Sequence, residues 1–214
     1  MKSFLIIGLG RFGRHMAKTL VEQGNEVLGI DINEHRVNDS MQYVPDVQIG
    51  NATNEGFIAS LGVGNFDVCV VAIGDNFQSS LETTALLQEY GAKFILARAN
   101  RDVHKKFLLR NGANEVVYAE REMAERLAVK YGSDKIFEYF QLSDGYAVYE
   151  IAVPASWVGK TIVGKAVRQQ YNISILATKQ NGQMQPLPKP EHVFTADETL
   201  MIIAHAKDIA PLIK

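Results

Sequence analysis

Short apolar runs alternate with amphipathic stretches from the start of the chain to about residue 132, and this alternation restricts the possible folds more than any other feature. The apolar runs predict strands at 4–7, 26–30, 47–49, 67–73, 94–97 and 115–118. The stretches between them predict helices at 11–23, 55–61, 77–90, 103–111 and 120–131. Strands that alternate with helices pair in parallel through helical crossovers. We therefore predict an α/β fold with a doubly wound parallel sheet.

The pattern changes after about Phe140. A strand is predicted at 146–153, a helix at 161–170, a hairpin of strands 174–179 and 183–187 around Asn181-Gly182, and a last strand at 200–204. This indicates a small α+β C-terminal domain, connected to the first by helix 120–131 and segment 133–141. We place the two domains at residues 1–134 and 135–214. A core this small is near the lower limit for independent stability, which favours pairing with a second copy.

Composition restricts the class of protein. The net charge of −2 provides no broad basic field, so a nucleic-acid partner is not expected. The single cysteine, Cys69, excludes an internal disulfide and fits a reducing compartment. No apolar stretch approaches the ~20 residues of a membrane span. We expect a cytosolic protein that reaches a membrane only through a partner.

The segment Gly8-Leu9-Gly10-Arg11-Phe12-Gly13 is a G-x-G-x-x-G motif between a predicted strand and a predicted helix. Gly8 permits the tight turn, Gly10 lets phosphate approach the backbone, and Gly13 lets the helix pack closely on the sheet. Amides at the helix start then face the anion. The motif in this context predicts a Rossmann-type nucleotide site. The alternative is a glycine-rich turn that binds no ligand.

Two charged residues refine the expected ligand. Asp31 ends the second predicted strand, 18 residues after Gly13, where it can accept hydrogen bonds from ribose hydroxyls and would repel a 2′-phosphate. Arg11 lies inside the glycine loop and can reach a terminal phosphate, which favours ADP or ATP over NAD(H). Arg11 could instead be a solvent-facing residue at the helix start.

Glu120 and His104 each have two interpretations. Glu120 opens the linking helix, so it is either a carboxylate stabilised by the helix dipole or a ligand that helps hold Mg²⁺ or Ca²⁺ near the phosphates. His104, beside Lys105 and Lys106, either touches phosphate or is exposed. No residues after 140 form a recognisable acid–base pair, so we expect no enzyme activity.

Several segments together resemble the regulator-of-potassium-conductance family, in particular the regulatory subunits of bacterial Ktr and Trk potassium-uptake systems. The resemblance covers essentially the whole chain. It is carried by the glycine loop and by Asp31-Ile32-Asn33, Gly50-Asn51-Ala52-Thr53, Val71-Ala72-Ile73-Gly74, Gly112-Ala113, Glu120-Arg121-Glu122-Met123, Val158-Gly159-Lys160-Thr161, Arg168 and Tyr171-Asn172-Ile173.

The resemblance implies a non-enzymatic gating subunit beneath a membrane-embedded potassium channel or transporter. Dimers would assemble into an octameric ring. ATP would activate potassium transport, and ADP would favour the resting state. The nucleotide site that it implies comprises Gly8, Gly10, Arg11, Phe12, Gly13, Asp31, Ile32, Asn33, Asn51, Ala52, Ile73, Gly74, Arg98, Ala99, Asn100, His104 and Glu120. Many family members carry Asp where this chain has Asn51.

The resemblance also implies a second ligand site in the C-terminal domain, where cyclic di-AMP would bind across a two-fold dimer interface. Its residues would be Arg168, Asn172, Ile173 and His192. Alternatively these residues only pack the dimer. For the whole chain, the other functional class is an NAD-dependent oxidoreductase, which the glycine motif and Asp31 would also fit.

Overall fold

The computed structural model describes residues 1–213, which divide into two compact units, Met1–Glu120 and the part of the chain from Arg121 onward. This division falls earlier than the 134/135 boundary expected from the sequence. Helix α6 (Ala119–Tyr131) spans the division, so its first two residues belong to the first unit. Among residues 1–213, no helix combines the length and apolar character that crossing a membrane requires.

The first unit is built on a parallel sheet, as the alternation of strands and helices predicts. Six strands within residues 1–120 follow the order β3-β2-β1-β4-β5-β6. Their bounds are β1 Ser3–Ile7, β2 Glu26–Asp31, β3 Asp46–Ile49, β4 Val68–Val71, β5 Ile95–Arg98 and β6 Glu115–Val117. The fold class predicted from the sequence is therefore confirmed.

Helices cover both faces of this sheet. They are α1 Arg11–Glu22, α2 Glu34–Ser40, α3 Glu55–Ser60, α4 Phe77–Glu89 and α5 Asp102–Arg110, with a 3₁₀ turn at Val63–Asn65. Alternate side chains of β1 enter two separate apolar clusters, Leu5 and Ile7 on one face and Phe4 and Ile6 on the other. Burial on both faces explains why the central strands are almost entirely apolar.

The order of the strands indicates at which edge of the sheet a ligand can bind. After β1 the chain adds β2 and β3 on one side and then returns to β4 on the other. Ligands of open α/β sheets bind at the carboxyl ends of the strands where the order reverses in this way. The glycine turn after β1 lies at this switch point.

Two glycines set the distance between that turn and α1. Gly8 has a φ of +100°, a conformation that L side chains rarely adopt. A Cβ on Gly13 would collide with the carbonyl oxygen of Gly8 and lie 3.1 Å from the Cβ of Ala72. Helix α1 therefore begins directly against the turn, because residue 13 has no side chain.

The second unit contains a five-stranded antiparallel sheet, in the order β10-β9-β11-β8-β7 within residues 121–213. The strands are β7 Ile136–Gln141, β8 Tyr146–Ala152, β9 Ser174–Gln180, β10 Gln183–Pro186 and β11 Glu198–His205. The helices are α7 Ile162–Lys165, α8 Val167–Tyr171 and α9 Ala206–Ile209, with a 3₁₀ turn at Ala155–Trp157. Trp157, Phe194, Leu200 and Ile202 lie at the centre of its core.

The hairpin between β9 and β10 turns at Asn181 and Gly182, which have φ angles of +52° and +78°. This hairpin was predicted, but two further expectations for the second unit were wrong. The helix predicted at 161–170 is two short helices, because Ala166 between them is left-handed with φ +47°. The segment predicted as a connector contains β7, which pairs with β8.

We predict that Gly13→Ala lowers the free energy of unfolding by about 1–3 kcal/mol, the usual effect of overpacking a close contact. Gly10→Ala is the matched control, since a Cβ there meets no atom within 4 Å and the φ of −64° suits any residue. Urea denaturation should show a change below about 0.5 kcal/mol for the control. Equal stability of the two variants would contradict this explanation of the Gly13 contact.

Candidate functional site

A cleft of about 920 Å³ opens at the carboxyl ends of the strands, at the switch point of the first sheet. This volume is in the range of sites that hold small molecules. The lining residues come from the glycine turn, the loops after β2, β3 and β4, and the ends of β5 and of the first unit. They include Gly8, Gly10, Arg11, Phe12, Asp31, Ile32, Asn51, Ala52, Ile73, Gly74, Arg98 and Glu120, all of them predicted from the sequence.

The glycine turn presents the start of α1 to this cleft. The backbone N–H of Gly8 donates to the carbonyl of Ile30 over 2.7 Å, which fixes the turn beside β2. Gly10 precedes the helix, and among the described residues no side chain caps it. The first amides of a helix have no partner within the helix and carry its positive dipole end. The turn is therefore suited to bind phosphate.

Asp31 has a structural role that the sequence reasoning missed. Its carboxylate is 4% exposed, and its two oxygens accept from the backbone N–H groups of Leu9 at 2.7 Å and Asn33 at 2.9 Å. Arg36 Nη1 lies 3.6 Å from Oδ2. Asp31 thus connects the glycine turn to the loop after β2, while still lining the cleft where a ribose is expected.

Arg98, at the end of β5, and Glu120 form a second charged group in the cleft, on the other side of β1 from Asp31. The Arg98 guanidinium is paired with the Glu120 carboxylate and lies 5.8 Å from the centre of the Phe12 ring. The pKa of Glu120 is lowered, chiefly because its own backbone N–H donates to the carboxylate, and further by the hydrogen bond from Arg98 and the charges of Arg98 and Arg11. Glu120 is therefore ionised at neutral pH.

Arg98 is incompletely satisfied by the protein. Its Nε is buried and has no hydrogen-bond partner among the described residues. Its Nη1 lies against Gly74, where an added Cβ would come within 2.5 Å. An anion in the cleft would add a negative charge beside a guanidinium whose carboxylate partner Glu120 is 59% exposed.

The loop after β3 forms another wall. Asn51 Oδ1 accepts from both the N–H and the hydroxyl of Thr53, at 3.1 and 2.9 Å, so this oxygen shapes the loop. The hydroxyl of Thr83 on α4 donates to the carbonyl of Ala52 over 3.3 Å and ties the loop to that helix.

Five predicted site residues do not line the cleft. Gly13 serves the packing of α1, and Asn33 caps α2 by accepting from the N–H of Arg36 at 3.2 Å. Ala99, Asn100 and His104 lie behind the cleft wall. The expectation that His104 is either exposed or at the phosphates is not what the structure shows, because its side chain is fully buried. Burial and the nearby charge of Arg101 lower its pKa.

The cleft also contains residues that the sequence reasoning did not select, among them the polar residues Arg14, Arg36, Asp39, Thr53, Asp75, Asn76, Ser79 and Thr83. Arg36 and Asp39 belong to α2, which was not predicted. The cap Asn33 followed by Glu34 was the signal that would have revealed that helix. Asn76 similarly caps α4 by accepting from the N–H of Ser79 at 3.0 Å.

The metal-binding interpretation of Glu120 rests on one carboxylate. Within residues 1–213, no group of three or more His, Cys, Asp or Glu side chains is placed to hold a metal ion. Mg²⁺ is commonly held by one or two carboxylates together with phosphates of the bound substrate. Glu120 fits that arrangement, provided that its pairing with Arg98 gives way.

The residues of the predicted second site lie in the second unit with different degrees of exposure. Arg168 and Asn172 are exposed, and Arg168 Nη2 lies 3.5 Å from the hydroxyl of Ser174. Ile173 is buried in the apolar core. His192 Nε2 contacts the buried carboxylate of Glu198 at 3.0 Å. Two of the four residues thus have internal roles.

Comparisons with known proteins agree with this geometry. A TrkA-N domain matches residues 4–119, and a TrkA-C domain matches residues 147–214. The chain belongs to the TrkA-N/TrkA-C family. The first match ends at the residue before Glu120, so it covers almost the whole of the unit that contains the cleft.

Full-length relatives support the assignment. The chain is 38% identical to Ktr system potassium uptake protein A of Bacillus subtilis strain 168 over 97% of this chain and 94% of that protein. It is 36% identical to Ktr system potassium uptake protein C of the same organism, over 98% and 95%. A GsuK channel bound to NAD shares the fold, with a TM-score of 0.71 and 20% identity, over 99% of this chain and 38% of the other.

Proposed function

We propose that this protein is a cytosolic, nucleotide-sensing regulatory subunit of a bacterial potassium-uptake system. ATP would activate transport, and ADP would favour the resting state. The observation that carries the proposal is the identity of 36–38% with two Ktr potassium uptake proteins along nearly the entire chain. The cleft would supply the sensor, since it combines a turn suited to phosphate with Asp31 after β2 and with Arg11 and Arg98 for a terminal phosphate. Its partner is a membrane-embedded potassium channel or transporter, and its own assembly is a dimer within an octameric ring.

The preference for ATP and ADP over NAD(H) rests on charge. Arg11 and Arg98 line the same cleft as the glycine turn, and Glu120 is their carboxylate neighbour. A terminal phosphate that reached these guanidinium groups would form charge-assisted hydrogen bonds. Asp31, placed at the ribose end, is unfavourable to a 2′-phosphate. The NAD-bound GsuK channel shares the fold at too low an identity to decide the ligand.

Nucleotides act by binding, without chemistry on the nucleotide. The cleft that we describe would orient phosphates and ribose, while its carboxylates Asp31 and Glu120 are engaged by backbone N–H groups and by Arg98. Sustained oxidation of NADH with a panel of small carbonyl compounds would contradict the proposal and favour the oxidoreductase alternative.

Glu120 would hold a divalent cation, Mg²⁺ or Ca²⁺, together with phosphate oxygens of the bound nucleotide. The cation would supply positive charge between the carboxylate and the phosphates. Because Glu120 pairs with Arg98, a phosphate that draws Arg98 toward itself frees the carboxylate for the cation. Glu120 is the second residue of α6, the helix that leads into the second unit along the chain.

Cyclic di-AMP would be the ligand of the second unit, bound between two copies. The exposed side chains of Arg168 and Asn172 are available for it, whereas Ile173 and His192 already have partners within the unit. Arg168 would face a phosphate of the ligand.

We predict that Arg11→Ala raises the Kd for ATP about tenfold and that for ADP less than threefold, because a charge-assisted contact to the terminal phosphate is lost. Isothermal titration of the full chain measures both. Lys18→Ala is the control, since it removes the same charge from α1 at a residue that pairs with Glu22 and is not among those lining the cleft. Equal losses for ATP and ADP in Arg11→Ala would contradict its role at the terminal phosphate.

We further predict that Mg²⁺ or Ca²⁺ increases the rise in Tm produced by ATP, and that Glu120→Gln removes this increment while ADP binding is nearly unchanged. Nucleotide binding raises Tm by mass action, so the increment reports the cation's contribution to affinity. Glu125→Gln is the matched control on the same helix, because Glu125 pairs with Arg121 one turn away and is not among the residues lining the cleft. A full cation response in Glu120→Gln would return Glu120 to a role at the helix start.

A further inference from the structure

His104 connects two walls of the cleft from behind. The side chain lies on α5 and is fully buried. Its Nδ1 is 3.2 Å from Asn100 Oδ1, and its Nε2 is 3.1 Å from the hydroxyl of Ser80 on α4. Asn100 Nδ2 in turn donates to the carbonyl of Gly74 over 2.6 Å. Gly74 lines the cleft, and so do Asn76 and Ser79 at the start of α4.

The backbone carbonyl of Gly74 determines which atom donates and which accepts in each of these hydrogen bonds. A backbone carbonyl only accepts, so the atom of Asn100 that faces it must be the amide nitrogen. The amide oxygen of Asn100 therefore faces His104 and requires a donor there. Nδ1 of the neutral imidazole carries that proton, which leaves Nε2 to accept from the Ser80 hydroxyl.

Both ends of this network bear on groups that shape the cleft. The Arg98 guanidinium lies against the Cα of Gly74, so a shift of Gly74 alters the support of that side chain. Ser80 belongs to the first turn of α4, where its N–H donates to the carbonyl of Asn76 over 3.0 Å. The imidazole is also packed edge-on to Phe77 on α4, with the ring centres 5.0 Å apart.

We infer that His104 is a positioning residue for nucleotide affinity: through Asn100 and Ser80 it holds Gly74 and the start of α4 in the arrangement that the nucleotide requires, without touching the nucleotide. This inference rests on the proposed nucleotide site. A positioning role predicts that nucleotide affinity depends on whether these hydrogen bonds are intact. A purely structural role predicts that affinity depends on the overall stability of the unit.

The test compares ADP affinity with stability in a small set of full-length variants. His104→Leu fills a similar space without donor or acceptor, whereas His104→Asn retains an N–H on the branch that faces Asn100. Leu108→Ala is the matched control, because Leu108 is a fully buried residue one turn along α5 and belongs to the apolar core. Its truncation leaves a cavity and lowers Tm without breaking the network.

By isothermal titration, we expect His104→Leu to raise the Kd for ADP about tenfold and His104→Asn about threefold, as for buried hydrogen bonds. Leu108→Ala should bind within about twofold of the wild type despite its lower Tm. In the double variant of His104→Leu with Asn100→Ala, the second change should add little, because both residues act through one network. If His104→Leu does not fold, His104→Asn and Ser80→Ala provide the same comparison.

Wild-type affinity in His104→Leu, or a loss in Leu108→Ala as large as that in His104→Leu, would overturn the positioning role. A wild-type chain that binds neither ADP nor ATP would overturn the proposed function and this inference with it. The two failures are therefore distinguished by the wild-type titration alone.

Discussion

The cleft depends on a buried carboxylate that joins two loops from neighbouring strands. Asp31 accepts the N–H of Leu9 in the glycine turn and the N–H of Asn33 in the loop after β2, and it is almost wholly removed from solvent. A hydrogen bond to a charged group contributes about 1.5–3 kcal/mol, and a buried carboxylate without such partners would be strongly unfavourable. The position of the turn relative to β2 thus follows from the satisfaction of this charge. The first amides of α1, which would bind phosphate in the proposed function, lie beside this turn because Gly13 lets the helix begin directly against it.

Charge at the other end of the cleft is arranged differently. Arg98 and Glu120 pair with each other, and Glu120 is more than half exposed while Arg98 is mostly covered. Because the Glu120 carboxylate is largely in water, replacing its contact with Arg98 by water or a cation costs less than breaking a fully buried ion pair. In the proposed function, a phosphate group would compete with Glu120 for Arg98. The charge of the ligand would then be detected by rearrangement of this ion pair, whereas the ribose would lie at Asp31, whose contacts with the backbone stay in place.

Much of the first unit could be predicted from sequence because its signals are local. The apolar runs of β1 and β4, and the glycine spacing before α1, each follow from residues close together in the chain. Helix α2 was missed since it is short and weakly apolar, and Arg36 and Asp39 were missed with it. The burial of His104 could not be predicted, because its partner Ser80 is 24 residues away and meets it only when α4 packs on α5. In the second unit, β7 was hidden because its pattern is half exposed, and the break at Ala166 depends on a left-handed residue that is not glycine.

The central claim is that an adenine nucleotide places its phosphates on the glycine turn and its ribose at Asp31. Hydrogen exchange of the backbone amides, followed by mass spectrometry with and without ADP, tests it most directly. The account predicts slower exchange in the peptide that spans residues 8–14 and in the peptide after β2, with little change in the second unit. Unchanged exchange at residues 8–14 at an ADP concentration that raises Tm would contradict it, because the nucleotide would then be bound elsewhere.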